Sequence, residues 1–486
     1  MKNLKSTNKG FPDPIYQSIL FGERINPPSG YLDEFDGEHL KGITFPRSDS
    51  VIGSADFLRI KHLHQNGIAL LSFPSATHTA FSHAIGTWWL AHLAGERIKV
   101  YDDNDKHAIS LKSWLMDHSL YAELVTASLL NSIGQPPVPF PFLPSEGDDQ
   151  LMQLFRDKSD LLILKNTELS RQWSSTAAGK FGTEIGTISQ ILETNGLSEA
   201  DIKKISSIMD KEKGNQNSDL GVRIAWDLLN GTIDLNSIDA LLRDSYFTGI
   251  RQTSVNVNSL LGNLSLYVNS GNNEYKWIIG RDGIPQCENI LFNKKQLNAL
   301  VIHNSEVIAN YGLMLGSVRS HLQIVSDSEH ESEIMKMSLM DDSELFFYLR
   351  KSESADAIRY SNDLTNSTPF GLLYRFSRGK MSPNRLMDLR NRMKEIMSNY
   401  DYSSGFILLF DSGFWSDTPE GNPAWLDPKF LHSSKDGQIS RMDDEYRYEY
   451  NKIFLPNFHY MWLMAKSNSD ETNKAVMLLK NYLQEC

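Results

Sequence analysis

Residues 58–91 read LRIKHLHQNGIALLSFPSATHTAFSHAIGTWWLA, and the second half of this stretch sets the fold class. Phe81, Ile85, Trp88, Trp89 and Leu93 recur mainly at steps of three and four, so they share one face of a helix. The stripe predicts a core helix over residues 81–98. Trp88 and Trp89 belong to that core face rather than to a stacking platform for bases. Four histidines crowd the same stretch. On a helical backbone His62 and His64 point apart, and His78 and His83 are five apart, a poor match for one helix face. Hydrogen-bonded or surface roles are therefore expected for His62, His64 and His78.

Outward from this stretch the chain keeps a helical texture. Residues 1–50 are rich in Gly, Pro and Asp and read as an irregular arm. A second helix is expected over 111–133, stopped by Gly134 and Pro136-Pro137, with a proline-rich loop over 135–144. Residues 150–212 read as two or three amphipathic helices, and 211–219 as a polar loop. Helix returns over 221–242 with a break at Gly231-Thr232. Residues 255–279 alternate enough to predict a hairpin that turns at the SGNN of 270–273. Another long helix is expected over 293–322. Asp327, Glu329, Glu331, Glu333, Asp341, Asp342 and Glu344 then form an acidic stretch, read as a solvated face or linker. Beyond it, 405–409 (GFILL) reads as a buried strand and 454–485 as helix.

Composition narrows the class. The chain has 486 residues, 48 Lys+Arg against 60 Asp+Glu, and a formal charge of −12. Apolar residues make 40% and charged ones 22%, the balance of a globular rather than a disordered protein. The acidic balance argues against non-specific binding to nucleic acid. Two cysteines, Cys287 and Cys486, cannot build a disulfide framework or a Cys-rich zinc site. The N-terminal stretch has no apolar h-region, and the longest apolar runs are too short to span a bilayer. A cytoplasmic protein with no membrane partner is the expectation. Walker and Rossmann phosphate loops are absent from the sequence.

Three ordered stretches carry a family resemblance. Phe73-Pro74-Ser75-Ala76-Thr77-His78-Thr79, followed by Phe81 and Ser82-His83-Ala84-Ile85-Gly86, tracks the pattern F-P-G-A-T-H-T-R-F-E-H-S-L-G. Residues 233–246 (IDLNSIDALLRDSY) are similar to D-x-D-R-x-D-Y-L-x-R-D-S. Asn289-Ile290-Leu291-Phe292 and Leu300-Val301-Ile302-His303 are similar to a downstream L-L…V-Y-x-H segment. Over roughly residues 15–322 the chain resembles HD-superfamily metal-dependent phosphohydrolases, in the branch of the dGTPases and the SAM-and-HD dNTP triphosphohydrolase.

The resemblance implies a divalent metal held by an early His, an adjacent His-Asp pair and a distant Asp. His83 takes the first position. Asn131-Ser132 stand where the His-Asp pair is expected, and Asn236 where the distant Asp is expected. Three of the four positions are thus changed, and both formal negative charges are gone. Gln135 and Phe140 replace further histidines, Ala80 and Ser82 the Arg and Glu of T-R-F-E-H, and Val301 the Tyr of V-Y-x-H. Residues 119–302 contain no histidine, so no register shift restores the pair. His118 follows Asp117, which is the reverse order.

Gln65 and Asp244 match positions that touch the sugar in nucleotide-specific relatives, and Asp239 and Arg243 are also kept. A structural role is favoured for Asp239, Arg243 and Asp244, while Gln65 stands evenly between structure and ligand. His83 is favoured as a vestigial core histidine.

The fold expected is mostly α: an HD-domain-like helical core with a small β hairpin over 55–322, an N-terminal arm over 1–54, and a mixed α/β C-terminal region over 323–486. The function expected is a catalytically degenerate pseudo-phosphohydrolase that acts by binding, as nucleotide sensor or as regulatory or scaffold subunit. A nucleotide ligand and a protein partner or homo-oligomer follow from that reading, and no catalytic residue or cofactor is assigned. The alternative is an active nucleotide phosphohydrolase that recruits Mn or Mg through other carboxylates, such as Glu123 or Asp234.

Overall fold

The computed structural model describes residues 51–138 and 187–366, apart from 103–106, 211–213, 232, 251–254, 303 and 327. It also describes strands at 9–13, 17–21, 371–378, 406–411, 430–433, 439–441 and 459–465, and helical positions at 388, 391–392, 395, 473–474, 476–478 and 480–481.

The protein is mostly helical. After a short helix α1 (Ala55–Arg59), the chain makes 3-10 turns at Ile60–His62 and Gly67–Leu71 and enters α2 (Ala80–Arg97). Thr79 starts α2 with a capping box, its side chain accepting from Ser82 N while the Ser82 hydroxyl accepts from Thr79 N. Ile85, Trp88, Leu90, Ala91 and Ala94 bury the helix on more than one face, so α2 runs through the core rather than over it.

Helices α3 (Leu111–Asp117) and α4 (Tyr121–Leu130) occupy the span expected to be one helix. Ser119 takes a left-handed φ of 54°, which ends the first before the second begins. Helices α5 (Ile188–Thr194), α6 (Glu199–Met209), α7 (Leu220–Asn230) and α8 (Leu235–Thr248) follow. The Gly231 break separates the last two as expected. Asp234 caps α8 through Ser237 N at 2.5 Å, and Gly249 closes it with φ 72°. Both α4 and α8 pack against α2.

The expected hairpin forms as β5 (Leu264–Asn269) and β6 (Glu274–Ile279), turning at 270–273, but 257–262 folds as a short helix α9 instead of strand. Counting from the N-terminus, β1 (Lys9–Asp13) and β2 (Gln17–Phe21) make a hairpin inside the segment read as an irregular arm. Strand β3 (Lys99–Asp102) pairs with β5, and β4 (Ile109–Ser110) pairs with β3 beyond it. Distant strands β9 (Phe430–Ser433) and β10 (Ile439–Arg441) extend the other side, giving a six-stranded sheet of order β10-β9-β6-β5-β3-β4. The β3/β5 and β6/β9 pairs are parallel and the rest antiparallel. Leu264, Leu266 and Val268 alternate into the core from β5.

The helix expected over 293–322 is interrupted. Helix α10 (Ile284–Leu297) widens into a π turn at Asn298–Ile302, and α11 (Ser305–Leu322) begins afresh with Asn304 as its cap. The acidic stretch is helical too, running through α12 (His330–Ser338) and into α13 (Asp342–Leu349). Helix α14 (Ala355–Thr365) packs along α11, where Gly316 lies under the ring of Tyr360 and the Ser317 hydroxyl meets Ser361 at 2.6 Å. Strand β7 (Gly371–Arg378), β8 (Phe406–Asp411) and β11 (His459–Ala465) form a three-stranded antiparallel sheet with β11 central. The strand over 405–409 is therefore present as β8. The helix expected over 454–485 instead contains β11, and helical positions are described only at 473–481. The proline-rich loop lies outside the described residues beyond 138, and so does 150–186 of the span 150–212 expected as two or three helices, whose described part holds α5 and α6.

Among the described residues no helix is long and apolar enough to cross a membrane.

Candidate functional site

The first two turns of α2 and the length of α8 build a buried polar cluster. His83 is 2% exposed and lies between two α8 side chains. Its Nδ1 is 2.6 Å from Asp239 Oδ2 and its Nε2 is 2.6 Å from Asn236 Oδ1. Asp239 also accepts from Arg243 Nε at 2.8 Å, and neither side chain of this i,i+4 pair is exposed. A carboxylate at Nδ1 fixes the ring proton on that nitrogen. The second nitrogen then faces an amide, which offers an acceptor or, turned over, a donor.

Gly86 explains how the helices approach so closely. A Cβ at that position would fall on the Asp239 carboxylate and the Arg243 guanidinium. The glycine of the Ser82-His83-Ala84-Ile85-Gly86 run is therefore a packing requirement of the ion pair.

One turn further along α8, Asp244 Oδ1 lies 2.8 Å from His78 Nε2. The His78 ring stacks on Phe247 at 4.8 Å between centroids. His78 is thus hydrogen-bonded, and so is His64, whose Nδ1 meets Asp342 Oδ2 at 2.7 Å. The structure pairs both of these histidines with acids that the sequence had not linked to them. His62 is exposed.

Asn131 and Ser132 follow α4, the former as its C-cap, and both are buried. Neither oxygen nor nitrogen of the Asn131 amide has a hydrogen-bond partner. Buried atoms without a partner also occur on Gln65 (Oε1), Gln135 (Nε2), Asn66 (Nδ2) and His78 (Nδ1). The loop carrying Asn131 and Gln135 is tied to the segment carrying Gln65. Arg59 donates to Ile133 O at 3.1 Å and Gln135 O at 2.7 Å. Asp342 accepts from His64 N at 2.8 Å and from Val138 N at 2.6 Å. That carboxylate belongs to the acidic stretch, yet it is 5% exposed. Gln65 N in turn donates to His78 O at 2.9 Å.

The remaining positions fall as follows. Ser82 acts in the α2 cap, Ala80 is buried at the start of the helix, and Val301 is buried in the π turn. Glu123 is buried on α4, and Asp234 is the α8 cap. His118 Nδ1 donates to Trp114 O at 2.7 Å and the ring stacks on Trp114, so it takes no part in the cluster. Trp88 is buried and Trp89 packs against the core. Phe140 and His303 lie outside the described residues.

Among the described residues no group of three or more His, Cys, Asp or Glu side chains is arranged to hold a metal ion. What the fold and cluster define together is a helical protein with a buried His–Asp–Arg brace between α2 and α8.

No family model matches the chain. It is 22% identical to an uncharacterised protein of Mycoplasma genitalium over 302 residues, which are 62% of this chain and 57% of that one. An uncharacterised protein of Methanocaldococcus jannaschii is 24% identical over 305 residues, 63% of this chain and 52% of that one. The chain therefore spans about half the length of the curated relatives it matches. A putative HD domain-containing protein of Acanthamoeba polyphaga mimivirus is 30% identical over 93 residues, 18% of this chain and 20% of its own. The crystal structure of a hypothetical protein from Aquifex aeolicus superposes with a TM-score of 0.62 at 17% identity, covering 97% of this chain and all of that one. That likeness extends to the fold.

Proposed function

We propose that this chain is an HD-like pseudo-phosphohydrolase, which keeps the helical scaffold and works by binding rather than by metal-dependent hydrolysis. One observation carries the reading: both ring nitrogens of His83 are engaged by protein, Nδ1 by Asp239 and Nε2 by the Asn236 amide. A metal ligand needs a free lone pair directed at the ion, with anionic ligands beside it. Here the positions that the resemblance assigns to ligands hold one imidazole, two amides and a hydroxyl, a set without formal charge. These residues do not fit a divalent metal. The partial similarity to a putative HD domain-containing protein supports the scaffold, and the Asn131, Ser132 and Asn236 substitutions support the loss of metal chemistry. Binding would make the protein a nucleotide sensor or a regulatory or scaffold subunit.

Metal analysis of the purified protein, together with a dNTP and phosphodiester hydrolysis screen in manganese, tests the reading. Metal well below one equivalent and no turnover are expected. Stoichiometric metal that disappears in His83→Ala, accompanied by turnover, would overturn it.

A further inference from the structure

We infer that Asp342 is a releasable clasp on the candidate site, holding the 133–138 segment against the 59–64 turn, so that the junction of α12 and α13 governs the geometry of the site. Such a clasp lies beyond the binding role, since it would hold the site of a sensor and that of a hydrolase alike.

Asp342 stands in the first turn of α13, and its two buried oxygens take three donors. Oδ2 accepts from His64 N at 2.8 Å and meets His64 Nδ1 at 2.7 Å, while Oδ1 accepts from Val138 N at 2.6 Å. At the end of α12, Ser338 O accepts from Arg59 Nη1, and Arg59 Nη2 donates to Ile133 O and Gln135 O. The junction of α12 and α13 thus supplies a carboxylate and a carbonyl that sew the same two segments together. Both segments lead into the site. Residue 64 bridges Thr79, and Leu63 O accepts from Ala80 N at 2.9 Å, where the helix that carries His83 begins. The other segment follows directly on Asn131 and Ser132.

The clasp is under load at one arm. Val138 is β-branched and precedes Pro139, two features that favour extended backbone, yet it takes a left-handed φ of 47°. Strain of this kind persists where surrounding bonds over-determine the conformation, and the bond from Val138 N to Asp342 is one of them. By contrast, no residue of α2 or α8 has a positive φ, so the His83–Asp239–Arg243 brace stores no such strain. The His64 imidazole is the arm that reaches solvent, its side chain 27% exposed. Withdrawing it leaves the buried carboxylate with fewer donors and a weaker hold. Letting go of Val138 then relieves the strain there. The two segments should therefore loosen together while the brace stays shut.

Hydrogen exchange of the full chain at neutral pH, resolved by mass spectrometry, tests the clasp without any ligand. In Asp342→Asn the amides of 59–64 and 133–138 should exchange about 10-fold or more faster, while those of α8 stay within about 2-fold of the wild type. His64→Ala gives a second, sharper readout, because it keeps the carboxylate and both backbone donors. It should speed exchange by about 3-fold in both segments, including 133–138, which the imidazole reaches through Asp342. This variant alters a partly exposed side chain and serves if Asp342→Asn does not fold. Acceleration spread equally over α8 would mean a plain loss of global stability and overturns the clasp. A change confined to 59–64 in His64→Ala overturns it too, since the segments would then move independently. No change in either variant does the same. Metal content and turnover decide the binding reading separately, so the two can fail apart.

Discussion

Two of the histidine-centred networks among the described residues differ in how they meet solvent. Between α2 and α8, His83 is held by Asp239 and Asn236, and Arg243 completes the group, with Asp239 and Arg243 fully buried. Between α11, α12 and α13, His321 Nδ1 meets the Ser352 hydroxyl at 2.8 Å and Nε2 meets Glu333 at 3.2 Å. Tyr348 donates to the same Glu333 oxygen, and Lys336 lies 4.3 Å over the Tyr348 ring with its side chain 53% exposed. The first network must balance its charges internally, because water cannot help it. The second has a solvated cation and a carboxylate that water partly screens. Similar parts therefore give a rigid joint in one place and an adjustable one in the other.

Asp239→Ala should break the comparison open most widely. It leaves an Arg243 guanidinium and a His83 ring buried without their carboxylate, a loss of about 3–5 kcal/mol. Urea denaturation measures it, and a loss no larger than that of a surface pair would mean that the buried network relaxes to water. Gly86→Ala attacks the same network through sterics alone. The added methyl must displace Asp239 or Arg243, and a cost of about 1–3 kcal/mol is expected. Paired with Asp239→Ala in a double-mutant cycle, its effect should shrink, because the carboxylate it strikes is already gone.

The parts of this picture that were legible in the sequence are those written in local pattern. The stripe from Phe81 to Leu93 gave α2, Gly231 gave the break before α8, and the SGNN turn gave β5–β6. The breaks within two expected long helices were missed because no glycine or proline marks them. Ser119 takes its left-handed turn between Leu115 and Leu120, which continue the apolar pattern across it, and a π turn interrupts the run after Leu297. Residues 459–465 read as helix, yet they are a strand because β7 and β8, far away in sequence, pair with both of its edges. The candidate site divides in the same way. Asp239 and Arg243 are four apart on one helix, a pairing open to inspection. His64 with Asp342, and His321 with Glu333 and Ser352, depend on the packing of segments that local pattern does not link, and no spacing rule announces them.

Tyr348→Phe tests the adjustable network and should have the smallest effect. Burial pushes the Glu333 carboxyl up, but hydrogen bonds from Tyr348 and His321, with the charges of Lys336 and His321, outweigh it and hold the group below its ordinary value. A carboxyl depressed in the folded state adds stability above its unfolded pKa, and that contribution is lost as pH falls through the folded value. Removing the Tyr348 hydroxyl takes away one of the donors to the carboxylate. Near neutral pH the variant should lose about 0.5–1.5 kcal/mol, the range of a single hydrogen bond. Its acid limb should also begin at a higher pH than that of the wild type. The two stability curves should converge once Glu333 is protonated in both, because the carboxylate that Tyr348 favours no longer exists. Urea midpoints followed from about pH 7 down to about pH 2 would show this narrowing gap. A gap that stays constant would mean Tyr348 contributes by packing, and the contrast between a buried joint and a titrating one would then rest on Lys336 and His321 alone.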